Sequence, residues 1–227
     1  MSSKIHTLKQ VPIFSSLDEE HIRDVADISV EKFFHKNEVI FHEGDPGSSL
    51  FVIKSGVIKI SLVDPHGKEA ILQMLYETDF FGEMSLLDGQ FRSATVTAVE
   101  DCQALVISQK DFVDYIQQRP AAILGIVATL NRRLRKSNEK IASLSFFDVY
   151  GKAARILLDL IEEKGKQVGK QVVLELPFSR LELASMAGTS RETMTRILYE
   201  FQLRGCLKLE GRKITILDET ILRREVI

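Results

Sequence analysis

The chain has 227 residues, about one and a half times a typical domain of ~150 residues, so two domains of modest size are expected. Hydrophobic residues make up 44% of the chain and charged residues 27%, which is typical of a globular protein and excludes disordered, collagen-like and disulfide-scaffold classes. The formal net charge is −2, and residues 148–227 carry 14 Lys and Arg against 12 Asp and Glu. This balance is small, so any nucleic-acid site has to depend on where the basic residues lie.

The sequence predicts neither a membrane span nor a secretory signal. The longest uncharged apolar run, from Ala121 to Leu130, is far shorter than the ~20 residues of a transmembrane helix. Residues 1–16 lack the apolar core of a signal peptide, so we expect a cytoplasmic protein. The two cysteines, Cys102 and Cys206, are too few for a four-thiolate iron–sulfur cluster or a Cys-rich zinc site and are expected to be buried thiols.

The N-terminal part of the chain combines one short helix with many short strands. The capping-box spacing from Ser16 to Glu19 predicts a helix from Ser16 to Ile28. From Phe33 to Ile107, apolar and polar residues alternate between closely spaced turn sequences, which predicts an antiparallel barrel or roll. One predicted strand has Ile58, Ile60 and Leu62 on one face and Lys59 and Ser61 on the other.

After Pro120 the apolar period changes from two to about three and a half. A heptad seam with spacings of 4, 3, 4, 3, 4 and 3 residues runs through Ile123, Val127, Leu130, Leu134, Ser137, Ile141 and Leu144. It predicts a helix from about Arg119 to Phe147, roughly 44 Å long, that pairs with a second copy of the chain. The alternative is a helix packed on its own chain's core. Ser137, with Asn138 beside it, is either a polar layer that fixes the register or part of a ligand site that both helices contact.

The order of helices and strands expected in the C-terminal part predicts a winged helical module that binds DNA. It reads as a helix from Asp148 to Lys164, a polar loop to Lys170, a strand from Val172 to Leu176, two short helices, and a hairpin. The hairpin pairs residues 207–209 with residues 214–216.

Two capping boxes ten residues apart predict a helix-turn-helix. They are Ser179 with Glu182 and Thr189 with Glu192, and Gly188 between them suits a left-handed turn. Met194 and Ile197 are expected to face inward, and the opposite face carries Arg191, Glu192, Thr195 and Arg196. Arginine can bind guanine O6 and N7, and glutamate can accept from cytosine N4, so this face can read bases in a major groove. An ordinary solvated helix face is the alternative.

A second constellation lies in the predicted roll. Gly82 and Glu83 are expected to begin a short helix through Leu87, and Arg92 and Ser93 follow nine residues later. The arginine offers a positive fork for a phosphate, and the glutamate can accept from a ribose hydroxyl. A buried salt bridge between Glu83 and Arg92 explains the same residues equally well.

From Asn37 to Ile216 the chain resembles the cyclic-AMP receptor protein (CRP/FNR) family of bacterial transcription regulators. The resemblance implies an α+β fold: an N-terminal antiparallel β-roll of the double-stranded β-helix or jelly-roll type over residues 1–118, a coiled-coil dimerisation helix over 119–147, and a winged helix-turn-helix over 148–227. The motifs that carry it are Gly44-Asp45-Pro46-Gly47, Ser55-Gly56, Phe81-Gly82-Glu83, Arg92-Ser93-Ala94, Arg132-Arg133-Leu134, Phe147-Asp148-Val149, Ser190-Arg191-Glu192-Thr193 and Arg196-Ile197-Leu198.

The resemblance also implies roles for individual residues. Glu83 would hold the ribose, Arg92 and Ser93 the cyclic phosphate, and Arg133 would reach the pocket from the long helix. The complete ligand set is Gly82, Glu83, Met84, Arg92, Ser93, Arg133, Ser137 and Asn138. The DNA set is Ser179, Arg180, Ser190 and Thr193 on phosphates, with Arg191, Glu192, Thr195 and Arg196 on the reading face. Where cAMP-responsive members usually have Thr-Ser, this chain has Ser137-Asn138, which leaves the identity of the base open.

The sequence therefore predicts a homodimeric regulator and not an enzyme. Its expected effector is a cyclic nucleotide, cAMP first, with no catalytic cofactor and no metal. Its expected partners are RNA polymerase and duplex DNA with near-palindromic TGTGA-like half-sites, a TTGA-like preference being left open. The alternatives are the same scaffold under another signal, namely a cyclic dinucleotide, haem or redox, or under none. A cyclic-nucleotide phosphodiesterase or storage module is the alternative from another class.

Overall fold

The computed structural model describes residues 2–14, 17–118, 120–169 and 171–226. The chain divides into two compact units. The first comprises Met1–Lys68 and Leu72–Arg135, and the second comprises Glu69–Ile71 and Lys136–Ile227.

The first unit is an antiparallel β-roll with helices on one side. Two four-stranded sheets have the orders β1-β8-β3-β6 and β2-β7-β4-β5. The elements in chain order up to the end of the long helix are α1 (Ser2–Gln10), α2 (Glu19–Ile28), β1 (Ser29–Phe34), β2 (Val39–Phe41), β3 (Ser49–Ser55), β4 (Ile58–Val63), β5 (Glu69–Leu75), β6 (Phe80–Phe81), α3 (Glu83–Asp88), β7 (Thr95–Ala98), β8 (Cys102–Ser108), α4 (Gln109–Gln118) and α5 (Pro120–Phe146). The first residues of β5 and the part of α5 from Lys136 belong to the second unit.

Two apolar cores stabilise this unit. Phe51, Phe81, Val96 and Ala104 belong to the core inside the roll, where the rings of Phe51 and Phe81 stack 4.8 Å apart. The second core lies between the outer face of the sheet and the helices; it contains Leu8, Val11, Ile13, Phe14, Ile22, Leu50, Val52, Leu105, Ile107 and Phe112. The roll is thus as predicted, but β3 and β8 do not alternate in burial, because one core covers each of their two faces.

The N-terminal helices differ from the prediction. The helix predicted from Ser16 to Ile28 begins later, at Glu19, because Asp18 is the N-cap and its Oδ1 accepts from the backbone N–H of His21 at 2.9 Å. Ser16 lies outside the described residues. The sequence also gives no hint of α1, although Leu8 is fully buried in the second core.

The two faces of β4 differ in composition as predicted but not sharply in burial. Ser61 lies on the face opposite Ile58 and Ile60 and is only 1% exposed, whereas Lys59 on the same face is half-buried. The serine side chain ends at Oγ and is covered by its neighbours, while a lysine can extend its ammonium group to water.

The long helix is confirmed as α5, and most of its predicted seam is exposed on this chain. Leu134 is 59% exposed and Ile141 61%, and Ile123, Val127 and Leu144 are exposed as well. Leu130 is the exception, because it packs partly against the second core of the roll unit. Large apolar side chains in a row on one helix are unusual at a free surface.

The second unit contains a small antiparallel sheet with the strand order β11-β12-β10-β9. Its elements are α6 (Val149–Lys164), β9 (Lys166–Val168), β10 (Gln171–Glu175), α7 (Arg180–Ala187), α8 (Arg191–Leu203), β11 (Leu207–Glu210), β12 (Lys213–Ile216) and α9 (Glu219–Glu225). The predicted polar loop after Lys164 is wrong in part, because residues 166–168 pair with β10. All three side chains of β9 are exposed, so the pairing leaves no apolar pattern. The helix α9 is likewise not predicted from the sequence.

Both cysteines are buried thiols, as predicted. Burial raises the pKa of Cys102 and raises that of Cys206 to about 11. Within the described parts of the chain, no helix has both the length and the apolar character that crossing a membrane requires. The same residues contain no group of three or more His, Cys, Asp or Glu side chains placed to hold a metal ion.

Candidate ligand site and nucleic-acid interface

The candidate ligand site forms around the start of α3. Gly82 is the N-cap, with φ +83°, a backbone conformation that disfavours residues with a Cβ. A Cβ at this position would lie 2.7 Å from Nη1 of Arg92 and 2.8 Å from the carbonyl oxygen of Ser49. Glycine is therefore required for the chain to turn into α3 while Arg92 passes close to its backbone.

Arg92 is a buried cation with an incomplete set of partners. The residue is 5% exposed, and its Nη1 donates to the carbonyl oxygen of Gly82 at 2.8 Å and to Oγ of Ser85 at 2.9 Å. Its Nη2 donates to the carbonyl oxygen of Ser49 at 2.9 Å, and its Cζ lies 4.2 Å from the ring centre of Phe41. Nε is buried without a hydrogen-bond partner among the described residues. Desolvation lowers the pKa of Arg92, and the charges of Glu83 and Asp45 oppose that shift.

Glu83 pairs with Arg133 and not with Arg92. Glu83 as a residue is 3% exposed, and its Oε1 accepts from Nη1 of Arg133 at 2.7 Å. Arg133 also donates to the carbonyl oxygen of Phe80 and lies over the ring of that residue, with Cζ 4.6 Å from its centre. The alternative of a direct salt bridge between Glu83 and Arg92 is therefore wrong, and α5 supplies the partner of the buried carboxylate.

The structure brings some of the predicted ligand residues together and leaves others apart. Gly82, Glu83, Arg92 and Arg133 lie around the first turn of α3. The exposed Ser93 and Met84 contact each other, with Oγ 3.7 Å from Sδ. Ser137 and Asn138 are exposed positions of α5 in the second compact unit.

The sequence motifs do not reveal that Phe41, Ser49, Phe51 and Ser85 contact Arg92. Ser49 acts through its backbone carbonyl, so its side-chain identity carries no signal. Ser85 could have been found, because it lies three residues after Gly82 and thus one helical turn further along.

The helix-turn-helix is confirmed in the second unit. Ser179 and Glu182 form the predicted capping box, and Gly188 ends α7 with φ +66°. The predicted N-cap of α8 is wrong by one residue. The cap is Ser190, whose Oγ accepts from the backbone N–H of Thr193 at 3.1 Å, because the N–H of Thr189 is still engaged by Ala184 of α7 at 3.0 Å.

The second helix of this motif, α8, has one buried and one exposed face. Met194 and Ile197 are buried as predicted. The exposed face comprises Arg191, Glu192, Thr195 and Arg196. Hydrogen bonds from its own backbone N–H and from Ser190 lower the pKa of Glu192. The carboxylate is therefore kept in the ionised form that accepts hydrogen bonds.

Arg180 and Arg212 bind the backbone near the turn between β11 and β12. Arg180 is half-buried, and its Nη2 donates to the carbonyl oxygen of Gly211 at 3.2 Å. Arg212 donates to the carbonyl oxygen of Pro177 at 3.2 Å. These contacts fix the wing turn next to the start of α7, and burial lowers the pKa of Arg180.

A roll with a buried arginine and a buried glutamate, and a separate unit with a winged helix-turn-helix, define a regulatory protein in which one domain holds an effector and the other binds DNA. Comparison with known families agrees with this class. Residues 31–119 match the cyclic nucleotide-binding domain, and residues 151–225 match the Crp-like helix-turn-helix domain. The chain belongs to the CRP/FNR family of transcription regulators, which confirms the resemblance seen in its motifs.

Individual relatives cover most of the chain. The CRP-like cAMP-activated global transcriptional regulator of Mycobacterium tuberculosis is 34% identical over 191 residues, which are 84% of this chain and 85% of that protein. The cyclic AMP receptor protein of Thermus thermophilus is 31% identical over 217 residues, 93% and 97% of the two chains. Among solved structures, the c-di-GMP responsive global regulator CLP of Xanthomonas campestris has a TM-score of 0.77 at 26% identity and covers 88% of this chain and 99% of that one.

Proposed function

We propose that this regulator is a homodimer whose binding to DNA is switched by a cyclic nucleotide, cAMP first, held in the β-roll. We further propose that the division of labour follows residues 1–118, 119–147 and 148–227, with the middle segment joining the two copies. Two of the relatives described above carry cAMP in their names, which supports this choice of effector.

The observation that carries the ligand site is the unpaired Nε of Arg92. Two acceptors match the two protons of Nη1, and the carbonyl oxygen of Ser49 takes one proton of Nη2. Nε–H and the second proton of Nη2 lie along the same edge of the guanidinium group, and this edge can bind two phosphate oxygens at once. A buried unpaired donor costs about 1–3 kcal/mol, and a bound phosphate would remove that cost.

The other ligand residues receive roles around this phosphate. Glu83, held by Arg133 through Oε1, would accept from a ribose hydroxyl through Oε2. Residues Gly82, Met84 and Ser93 would line the same site, and Ser137 and Asn138 would contact the base.

Calorimetric titration with cAMP, cGMP and c-di-GMP tests the effector. We expect cAMP to bind and Arg92→Leu to lose about 100-fold or more in affinity, because two charge-assisted hydrogen bonds are worth ~1.5–3 kcal/mol each. Arg23→Leu, which changes an exposed arginine of α2, is the matched control and should bind normally. If Arg92→Leu binds cAMP with full affinity, the phosphate site is refuted. If only c-di-GMP binds, the effector is c-di-GMP and not cAMP.

We also propose that the nucleotide is held and not hydrolysed. After incubation of cAMP with the protein, chromatography should recover the nucleotide unchanged. The appearance of AMP would favour the phosphodiesterase alternative.

The exposed seam of α5 supports the dimer. Leu134→Asp would place two like charges in a desolvated interface, so it should convert the dimer into monomers in sedimentation velocity. Asn131→Asp adds the same charge to an exposed position outside the seam and should leave the dimer intact. If Leu134→Asp still sediments as a dimer, the seam is not the dimer interface.

For DNA we propose near-palindromic operators with TGTGA-like half-sites about 34 Å apart, one helical turn, as two symmetry-related recognition helices require. Arg191, Glu192 and Arg196 would read bases, and Thr195 lies on the same face. Ser179, Arg180, Ser190 and Thr193 would contact phosphates. RNA polymerase is the proposed protein partner at the promoter.

Selection from randomised DNA tests this assignment. Glu192→Ala should lose ~1–3 kcal/mol and relax one base pair per half-site. Arg180→Ala should weaken all sequences alike and flatten the salt dependence. If Glu192→Ala selects the same sharp motif as the unmodified protein, Glu192 does not read a base.

A further inference from the structure

Ser85 is a buried residue of α3 that contacts the side chain of Arg92. It is 3% exposed, and its Oγ accepts from Nη1 at 2.9 Å. We propose that Ser85 is a positioning residue that fixes which edge of the Arg92 guanidinium group faces the ligand, and thereby sets the selectivity of the site for the two free oxygens of a cyclic phosphate. This inference rests on the proposed function of the site.

The hydrogen bonds of Arg92 explain why Ser85 has this role. Of the three acceptors around the guanidinium group, Gly82 and Ser49 contribute backbone carbonyls, and Ser85 contributes a side-chain oxygen. Together they occupy Nη1 and half of Nη2, so that the edge with Nε remains for an anion. Without Oγ, Nη1 keeps a single acceptor. A rotation of the guanidinium group that turns Nη1 towards the anion then breaks fewer hydrogen bonds.

The turn from Gly44 to Gly47 holds Ser85 in this position. The backbone N–H of Arg92 donates to the carbonyl oxygen of Asp45 at 2.8 Å, and the N–H of Gly44 donates to that of Arg92 at 2.9 Å. A Cβ on Gly47 would lie 2.2 Å from Oγ of Ser85 and 3.4 Å from Cζ of Arg92. The turn therefore packs directly on Ser85, and a glycine at position 47 leaves room for the hydroxyl group.

A fixed edge has a chemical consequence for the ligand. The two non-bridging oxygens of a cyclic phosphate differ in position, and replacing one or the other with sulfur gives two diastereomers. Sulfur is larger than oxygen and accepts hydrogen bonds more weakly, so a guanidinium group held in one orientation discriminates between the two. A guanidinium group that can rotate discriminates less.

Affinities for the Rp and Sp phosphorothioate diastereomers of cAMP test the proposal. We expect Ser85→Ala to reduce the ratio of the two affinities about tenfold, the value of one hydrogen bond to a charged group. Ser85→Thr, which keeps a hydroxyl group, should retain the ratio, and Gly47→Ala should reduce it by displacing Oγ. Ser61→Ala is the matched control, since Ser61 is a buried serine of the same roll whose Oγ has no partner among the described residues. An unchanged ratio in Ser85→Ala overturns the inference.

A second measurement needs no nucleotide. Nitrogen NMR of the arginine side chains should show separate Nη signals for Arg92 in the unmodified protein and averaged signals in Ser85→Ala, because losing one acceptor speeds rotation. Separate signals in Ser85→Ala would overturn the positioning role. If the unmodified protein binds no cyclic nucleotide while its Arg92 signals respond to Ser85→Ala, the proposed function fails and the positioning role stands.

Discussion

Replacing Arg133 with leucine removes the cation that faces a buried carboxylate. The Glu83 side chain is 4% exposed and that of Arg133 is 16% exposed, and their closest atoms are 2.7 Å apart. Removing one partner of a buried ion pair costs about 3–5 kcal/mol, because the remaining charge stays desolvated. Arg133 is less deeply buried than Glu83, so we expect the lower end, about 3 kcal/mol. Glu83→Gln removes the charge itself, so the variant with both changes should cost less than the sum of the two by about 2 kcal/mol.

Urea unfolding of the ligand-free protein measures these costs. The chain contains no tryptophan, so far-UV circular dichroism is the suitable signal. Amide hydrogen exchange in β3 and β8 assigns the loss of stability to the roll, since a protein with two compact units need not unfold in one step. A cost of Arg133→Leu below ~1 kcal/mol, or strictly additive effects of the two substitutions, would refute the account of a buried charge pair.

Three further predictions concern stability. Because the folded-state pKa of Cys206 is about 11 and its ordinary value is 9.0, the unfolded chain loses this proton first as the pH rises. Stability should therefore fall by about 2–3 kcal/mol between pH 9 and pH 11, and a Cys206→Ala variant that shows the same slope would contradict this. Gly188→Ala should cost about 1 kcal/mol for its left-handed backbone alone, since the added Cβ meets its nearest atom at 3.8 Å; thermal unfolding with Gly188→Asn as a milder control checks it. Leu8→Ala should cost about 2–5 kcal/mol in urea unfolding, and a loss below 1 kcal/mol would mean that α1 is not part of the core.

The parts of the fold that the sequence predicts well are those with a strong local period. The seam of α5 repeats over three heptads, and apolar and polar residues alternate through part of the roll, although both faces of β3 and β8 are buried. The β9 strand cannot be predicted from an apolar pattern, because backbone groups make its pairing and all of its side chains are exposed. The shift of the α8 cap from Thr189 to Ser190 has a different cause. Two adjacent hydroxyl residues compete for the cap, and a hydrogen bond to the preceding helix decides between them.

In the candidate ligand site too, the sequence predicts the residues of the local motif but not the contacts between distant residues. Gly82, Glu83 and Arg92 are close in sequence and form a visible motif, but the pairing of Glu83 with Arg133 joins residues fifty positions apart. The local sequence therefore suggests the wrong ion pair, with Arg92. The orientation of Arg92 depends on two backbone carbonyls, which any residue type could supply, so the sequence cannot reveal it.

The second core of the roll shows that the segment matched by sequence and the segment that folds are not the same. The cyclic nucleotide-binding match begins at residue 31, yet Leu8, Ile13 and Phe14 are buried against the sheet by α1 and the residues that follow it. A fragment cut at the edges of the match would keep α4 but lose α1 and α2, and part of the sheet face that contains Leu50 and Leu105 would become exposed to water. We therefore expect the effector domain to fold on its own only when the N-terminal helices are included. The boundaries of a minimal domain for binding studies have to follow the residues that pack in the core, and not the residues that match the family.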